Sequence, residues 1–129
     1  MKDRITIDDL YSDAGSYDEE AVLLTLRDKI IFSQEHEILF VIDPTNLKAR
    51  KAILLYALAK KMLKANQKID DEIITNAEIT DKVKLKDNTV RGTIKRLRDQ
   101  KFLVRSGSGY EIPVFKVEDV LDSLRVNGD

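Results

Sequence analysis

Cysteine is absent from this chain, which excludes disulfides, thiolate nucleophiles and cysteine-based metal sites. There is one histidine, His36, in the polar run Ser33-Gln34-Glu35-His36-Glu37, and a solvated turn residue is the reading that fits it. No glycine-rich phosphate loop and no His/carboxylate spacing for a metal occur, so no catalytic residue, metal or cofactor is expected and the chain does not read as an enzyme. Proline occurs twice and glycine five times, and 43% of residues are apolar against 35% charged; this is a globular composition, neither disordered nor fibrous. Long apolar runs are missing too. The longest, Ala52 to Ala59, is far too short to span a bilayer. The opening MKDRITIDDLYSD carries acids where an export signal needs an apolar stretch. A soluble, cytoplasmic protein with no membrane partner is the expectation.

What is present is charge, unevenly placed. The net charge is −1 over 129 residues, yet residues 1–43 hold four basic and eleven acidic side chains, while Lys82 to Arg105 hold nine basic and two acidic ones, Asp87 and Asp99. A near-neutral total therefore conceals an acidic segment of −7 and a basic one of +7. The length suits one domain with an extension. Residues 1–43 read as an N-terminal helix and β-hairpin extension packed on the core, and residues 44–129 as the main domain.

In order, residues 1–17 fit either a short strand or a loose helical turn. A helix follows from Asp18, with Asp18, Glu19 and Glu20 in its first turn and Ala21 and Leu24, with Val22 and Leu26, on its apolar face. Ile30–Phe32 and Ile38–Ile42 flank the polar turn as a β-hairpin. Asp43-Pro44-Thr45-Asn46 then interrupts the chain, and a long helix from Leu47 to Asn66 follows, capped by Thr45 or Asn46 and apolar on every face at its centre. Such a helix is buried on more than one side, as a central core helix or at a dimer interface. Asn66–Thr75 is a polar linker with room for a helical turn or a brief strand.

Asn76 to Ile112 carries the chemistry. Thr75 or Asn76 caps a helix reaching about Lys84, with Glu78 as a capping-box-like partner and Ile79 and Val83 facing inward. Leu85 sits in the turn. A second helix, residues 88–101, capped by Asp87 or Asn88, puts Val90, Ile94 and Leu97 on one side and Asn88, Gly92, Lys95 and Asp99 on the other, flanked by Arg91 and Arg96. A small hairpin, residues 104–112, turns at Ser106–Gly109, with Arg105 at its base and Pro113 closing it. Lys116–Val126 reads as a final helix packed through Val117, Val120, Leu121 and Leu124.

From Glu78 onward the chain resembles the winged helix-turn-helix regulators of bacteria and archaea. Glu78-Ile79-Thr80, Val83, Leu85, Thr89-Val90-Arg91, Ile94, Leu97 and Phe102-Leu103-Val104 follow their pattern in order, and with the preceding helix the likeness covers roughly Leu47 to Leu124. Lys84, Lys86 and Lys101 depart from it, standing where that pattern commonly has Gly, a capping Ser and Gly. The resemblance implies an α+β, mostly helical fold, a dimer, and a transcription regulator. In this reading Asn88, Thr89, Arg91 and Lys95 enter the major groove of double-stranded DNA, with Gly92 allowing close approach. Lys84, Lys86, Arg96, Arg98 and Arg105 lie nearer the phosphates, the last at the wing. The competing expectation is a protein-binding winged-helix module in a larger, nucleic-acid-processing assembly, with residues 1–43 as the partner surface.

Overall fold

Residues 17–127 are described by a computed structural model; the strand or turn expected at residues 1–17 lies, Tyr17 apart, outside the described residues. Five α-helices and two small antiparallel hairpins make up the described residues, an α+β arrangement that is mostly helical. Helix α1 (Glu19–Leu26) begins at Asp18, whose carboxylate accepts from the Ala21 N–H at 3.2 Å. Its inward face is Val22 and Leu26, both buried, whereas Leu24, expected to face inward, is 51% exposed. Residues four apart share a helix face, and two positions on from Val22 points away from it. Strands β1 (Ile30–Phe32) and β2 (Ile38–Phe40) pair with Ile31 opposite Leu39. In their turn the Glu37 N–H donates to Ser33 Oγ at 3.0 Å and His36 is exposed at φ 66°.

The long helix starts two residues later than expected. Thr45 and Asn46 do not cap it; they belong to a 3-10 turn, Pro44–Asn46, held by Asp43, which accepts from the Thr45 N–H at 3.0 Å and its hydroxyl at 2.7 Å. Those two bonds draw the Asp43 carboxyl below its ordinary range. Helix α2 (Ala49–Ala65) then runs from Lys48, which makes no side-chain cap bond, to Asn66, whose side-chain amide donates to the Met62 carbonyl at 2.8 Å. Every residue from Lys51 to Ala59 is buried, and α2 touches α1 on one side and the later helices on another. The all-round apolar pattern thus marks the helix about which the core forms.

Helices α3 (Asn76–Val83) and α4 (Asp87–Asp99) come next, then strands β3 (Val104–Ser106) and β4 (Gly109–Glu111), then α5 (Val117–Asn127). The linker before α3 contributes a single bridge: Ile74 exchanges both backbone hydrogen bonds with Tyr110 at 2.8 Å. The buried Lys61–Glu72 ion pair ties the same linker to α2. Helix α5 buries Val117, Val120, Leu121 and Leu124. Val22, Leu26 and Ile30 join the same apolar cluster as Leu54, Ile94 and Leu121, so the first elements share one core with the rest. Among the described residues no helix is long and apolar enough to cross a membrane.

Candidate nucleic-acid interface

Helix α3 is fastened at its first turn. Thr75 Oγ1 accepts from the Glu78 N–H at 3.1 Å, one half of a capping box. The other half is not made, because the Glu78 carboxylate is engaged elsewhere. It accepts from the Tyr56 hydroxyl at 2.5 Å and from Lys60 Nζ at 2.8 Å, and Lys60 also donates to the Ile73 carbonyl at 2.6 Å. Burial, then the bond to Glu78, pushes the Tyr56 phenol far above its ordinary range, so it remains a donor. Ile79 and Val83 are buried beneath.

Between the helices Lys84 adopts the left-handed conformation (φ 62°, ψ 43°), which glycine takes more cheaply, and Leu85 is half-buried. The sequence places the next helix at 88–101 with an Asp87 or Asn88 cap; the structure corrects this. Lys86 is the N-cap and makes no side-chain bond, Asp87 is the first helical residue, and the helix ends at Asp99. Asp87 is diverted from capping by Arg91 one turn on, whose Nε donates to Asp87 Oδ2 at 2.8 Å while Nη2 reaches the same oxygen. That bond holds the Arg91 guanidinium even further above its ordinary pKa.

Val90, Thr93, Ile94 and Leu97 form the buried side of α4. At about 100° per residue the opposite side is Asn88, Gly92, Lys95 and Asp99. Asn88, Thr89, Arg91, Lys95, Arg96 and Arg98 are all exposed, as are Lys84 and Lys86 before them and Arg105 after. Gly92 is half-buried, and a Cβ there would meet nothing nearer than Arg96 Nη1 at 4.0 Å, so nothing within the chain requires glycine. Arg96 leans on Thr93 Oγ1 at 3.4 Å. Among the described residues, Lys86, Lys95, Arg98 and Arg105 have no carboxylate partner.

The exit from α4 is a second left-handed lysine, Lys101 at φ 68°, with the Phe102 N–H donating to the Leu97 carbonyl and the Lys101 N–H to that of Arg98, both at 2.9 Å. Phe102 and Leu103 therefore close the helix, and the strand starts at Val104. The hairpin turns on only two residues, Gly107 and Ser108, with Gly107 at φ 55°. Tyr110, clamped by Ile74, presents its ring to two cations: the Arg98 guanidinium lies 5.4 Å and that of Arg105 5.6 Å from its centroid. Arg50 and Lys116 approach Phe102 in the same way, at 5.2 and 6.0 Å.

Of the ten expected contact residues nine are exposed and Gly92 is half-buried; they belong to the inter-helix turn, the outward half of α4 and the first strand of the hairpin. Sequence reasoning missed the Tyr110 platform, for which no spacing rule exists, and the Asp87–Arg91 pair, which the four-residue spacing does encode. No family model matches the chain, and no curated protein and no solved structure does either.

Proposed function

We propose that this is a winged helix-turn-helix protein that binds double-stranded DNA in a sequence-specific manner and regulates transcription, a binding protein rather than an enzyme. The supporting observation is the concentration of exposed cations on the outward side of α4 and the adjoining hairpin, of which Lys86, Lys95, Arg98 and Arg105 have no carboxylate partner among the described residues. The interaction with the phosphate backbone is electrostatic and salt-dependent, because each cation that neutralises a phosphate releases a counterion. Lys84, Lys86, Arg96, Arg98 and Arg105 supply it. Base readout falls to the first turns of α4, where Asn88 pairs with adenine and Arg91 and Lys95 reach guanine edges; each good bidentate pair gives about 1–3 kcal/mol of discrimination.

Asp87 sharpens the role of Arg91. It occupies the Nε edge of the guanidinium and leaves the Nη1/Nη2 end, the fork that matches guanine O6 and N7. The hairpin's two-residue turn and three-residue strands give a short wing, suited to following phosphates.

Selection of bound sequences from a random DNA pool tests the reading, with Arg91→Ala/Lys95→Ala as the control. Wild type is expected to enrich a motif, and the double variant to lose it while keeping its circular dichroism. Absence of retention on heparin or DNA at low salt would favour the protein-binding module instead.

A further inference from the structure

Tyr110 is not among the ten expected contact residues, yet it organises two of them. It lies directly opposite Arg105 in the β3–β4 ladder, and its ring centroid is 5.6 Å from that guanidinium and 5.4 Å from the one on Arg98. Arg98 comes from the last turn of α4 and Arg105 from β3, so a single ring reaches cations of both elements. The ring is fixed from beneath. Tyr110 is only 9% exposed, shares the apolar cluster of Ile74 and Leu97, and exchanges both backbone hydrogen bonds with Ile74. Gly109 before it approaches Ile74 so closely that no Cβ fits between them.

A cation–π contact engages a guanidinium through the ring's face and consumes none of its N–H donors. Among the described residues neither arginine has a carboxylate partner. Both forks therefore stay open to oxygen anions while the charges are already placed. A free arginine has among the largest rotamer freedoms of any side chain, and gripping a phosphate removes it. An arginine held beforehand loses less. Two guanidiniums on one ring also repel each other, and a phosphate set against both relieves that repulsion. We infer that Tyr110 is a positioning residue for DNA binding, its buried ring holding Arg98 and Arg105 in advance as one phosphate clamp that joins α4 to the hairpin. The inference rests on the DNA-binding reading and adds to it a residue that need not touch DNA.

Salt-dependent binding of the full chain to duplex DNA of random sequence tests it, with the same variants repeated in an Arg98→Ala/Arg105→Ala background. Tyr110→Leu is expected to weaken binding about tenfold at an unchanged salt slope, because the charges remain and only their placement is lost. Tyr110→Phe keeps the ring face and should bind as wild type does. In the background lacking both arginines Tyr110→Leu should cost nothing further. Equal weakening in both backgrounds would reveal a purely structural role and overturn the inference, as would an indifferent Tyr110→Leu or a Tyr110→Phe that behaves like it. If Tyr110→Leu fails to fold, NMR of the wild type decides: the Arg98 and Arg105 side-chain resonances are expected to carry ring-current shifts before DNA is added and to keep them afterwards, and unshifted resonances would sink the idea. A wild type that binds no duplex at low salt would take down the DNA reading itself together with this inference, a result distinct from binding that ignores Tyr110.

Discussion

If Arg91 contacts DNA, Asp87 sits within reach of the same phosphates, and a carboxylate there costs affinity unless it serves recognition. As an exposed i,i+4 pair screened by solvent, Asp87–Arg91 adds little to the stability of the helix. Asp87→Asn is therefore expected to leave the melting temperature within about two degrees. In DNA-binding measurements it should raise affinity for unrelated sequences and flatten the preference for guanine; retained preference would show that Asp87 does not position the arginine. Asp43 carries a pH signature. Its bonds to Thr45 depress the folded-state pKa, so the stability they contribute is present above the ordinary aspartate value of 3.8 and is lost as pH falls through the lower folded value. Thermal melts at about pH 3 and pH 6 should accordingly converge for Asp43→Asn relative to wild type. At this scale the sequence was legible wherever chemistry is local: the outward side of α4 follows from spacing alone. It was opaque for Glu78, read as a helix cap, because Tyr56 and Lys60 lie 22 and 18 residues away.

Among the elements, α3 owes its place to that same carboxylate. Glu78→Ala leaves Lys60, only 17% exposed, without a carboxylate and with the Ile73 carbonyl alone, and is expected to lower stability by about 2 kcal/mol, with Tyr56→Phe costing roughly half as much. Urea unfolding of both variants measures this, and equal, negligible losses would mean that apolar packing of Ile79 and Val83 alone seats the helix. The β3–β4 hairpin is anchored through a close approach of backbones. A Cβ on Gly109 would fall on the Ile74 carbonyl and 2.7 Å from Ile73 Cγ2. Gly109→Ala should break the Ile74–Tyr110 bridge, cost about 2–3 kcal/mol, and loosen the ring on which Arg98 and Arg105 rest. Element types were readable from periodicity and turn residues, whereas their ends slipped by one or two positions. Helix α2 begins at Ala49 because Asp43 captures Thr45 first, and α4 begins at Asp87 because Arg91 captures its carboxylate.

For the molecule as a whole, charge and burial are segregated. One apolar cluster runs from Val22 to Leu124, while the +7 stretch and the −7 stretch lie toward opposite ends of the sequence. If the basic surface holds DNA, replacing both Arg98 and Arg105 by alanine should weaken binding to all sequences alike and reduce the slope of log affinity against log salt by about 2. An unchanged slope would remove the hairpin from the interface. The composition disclosed the charge separation, but not that the early hairpin would leave an apolar face open, since its alternation is apolar at both phases.

The two left-handed lysines bear on how such a chain withstands mutation. Lys84 and Lys101 bracket α4, and each holds a conformation that glycine adopts without penalty. Replacing either by glycine should raise stability by about 0.5–1 kcal/mol in denaturant titrations. A laboratory population selected only for resistance to heat should drift toward glycine at both sites. One selected for retention on DNA should keep lysine at residue 84, even in a background where every other substitution favours the more stable fold.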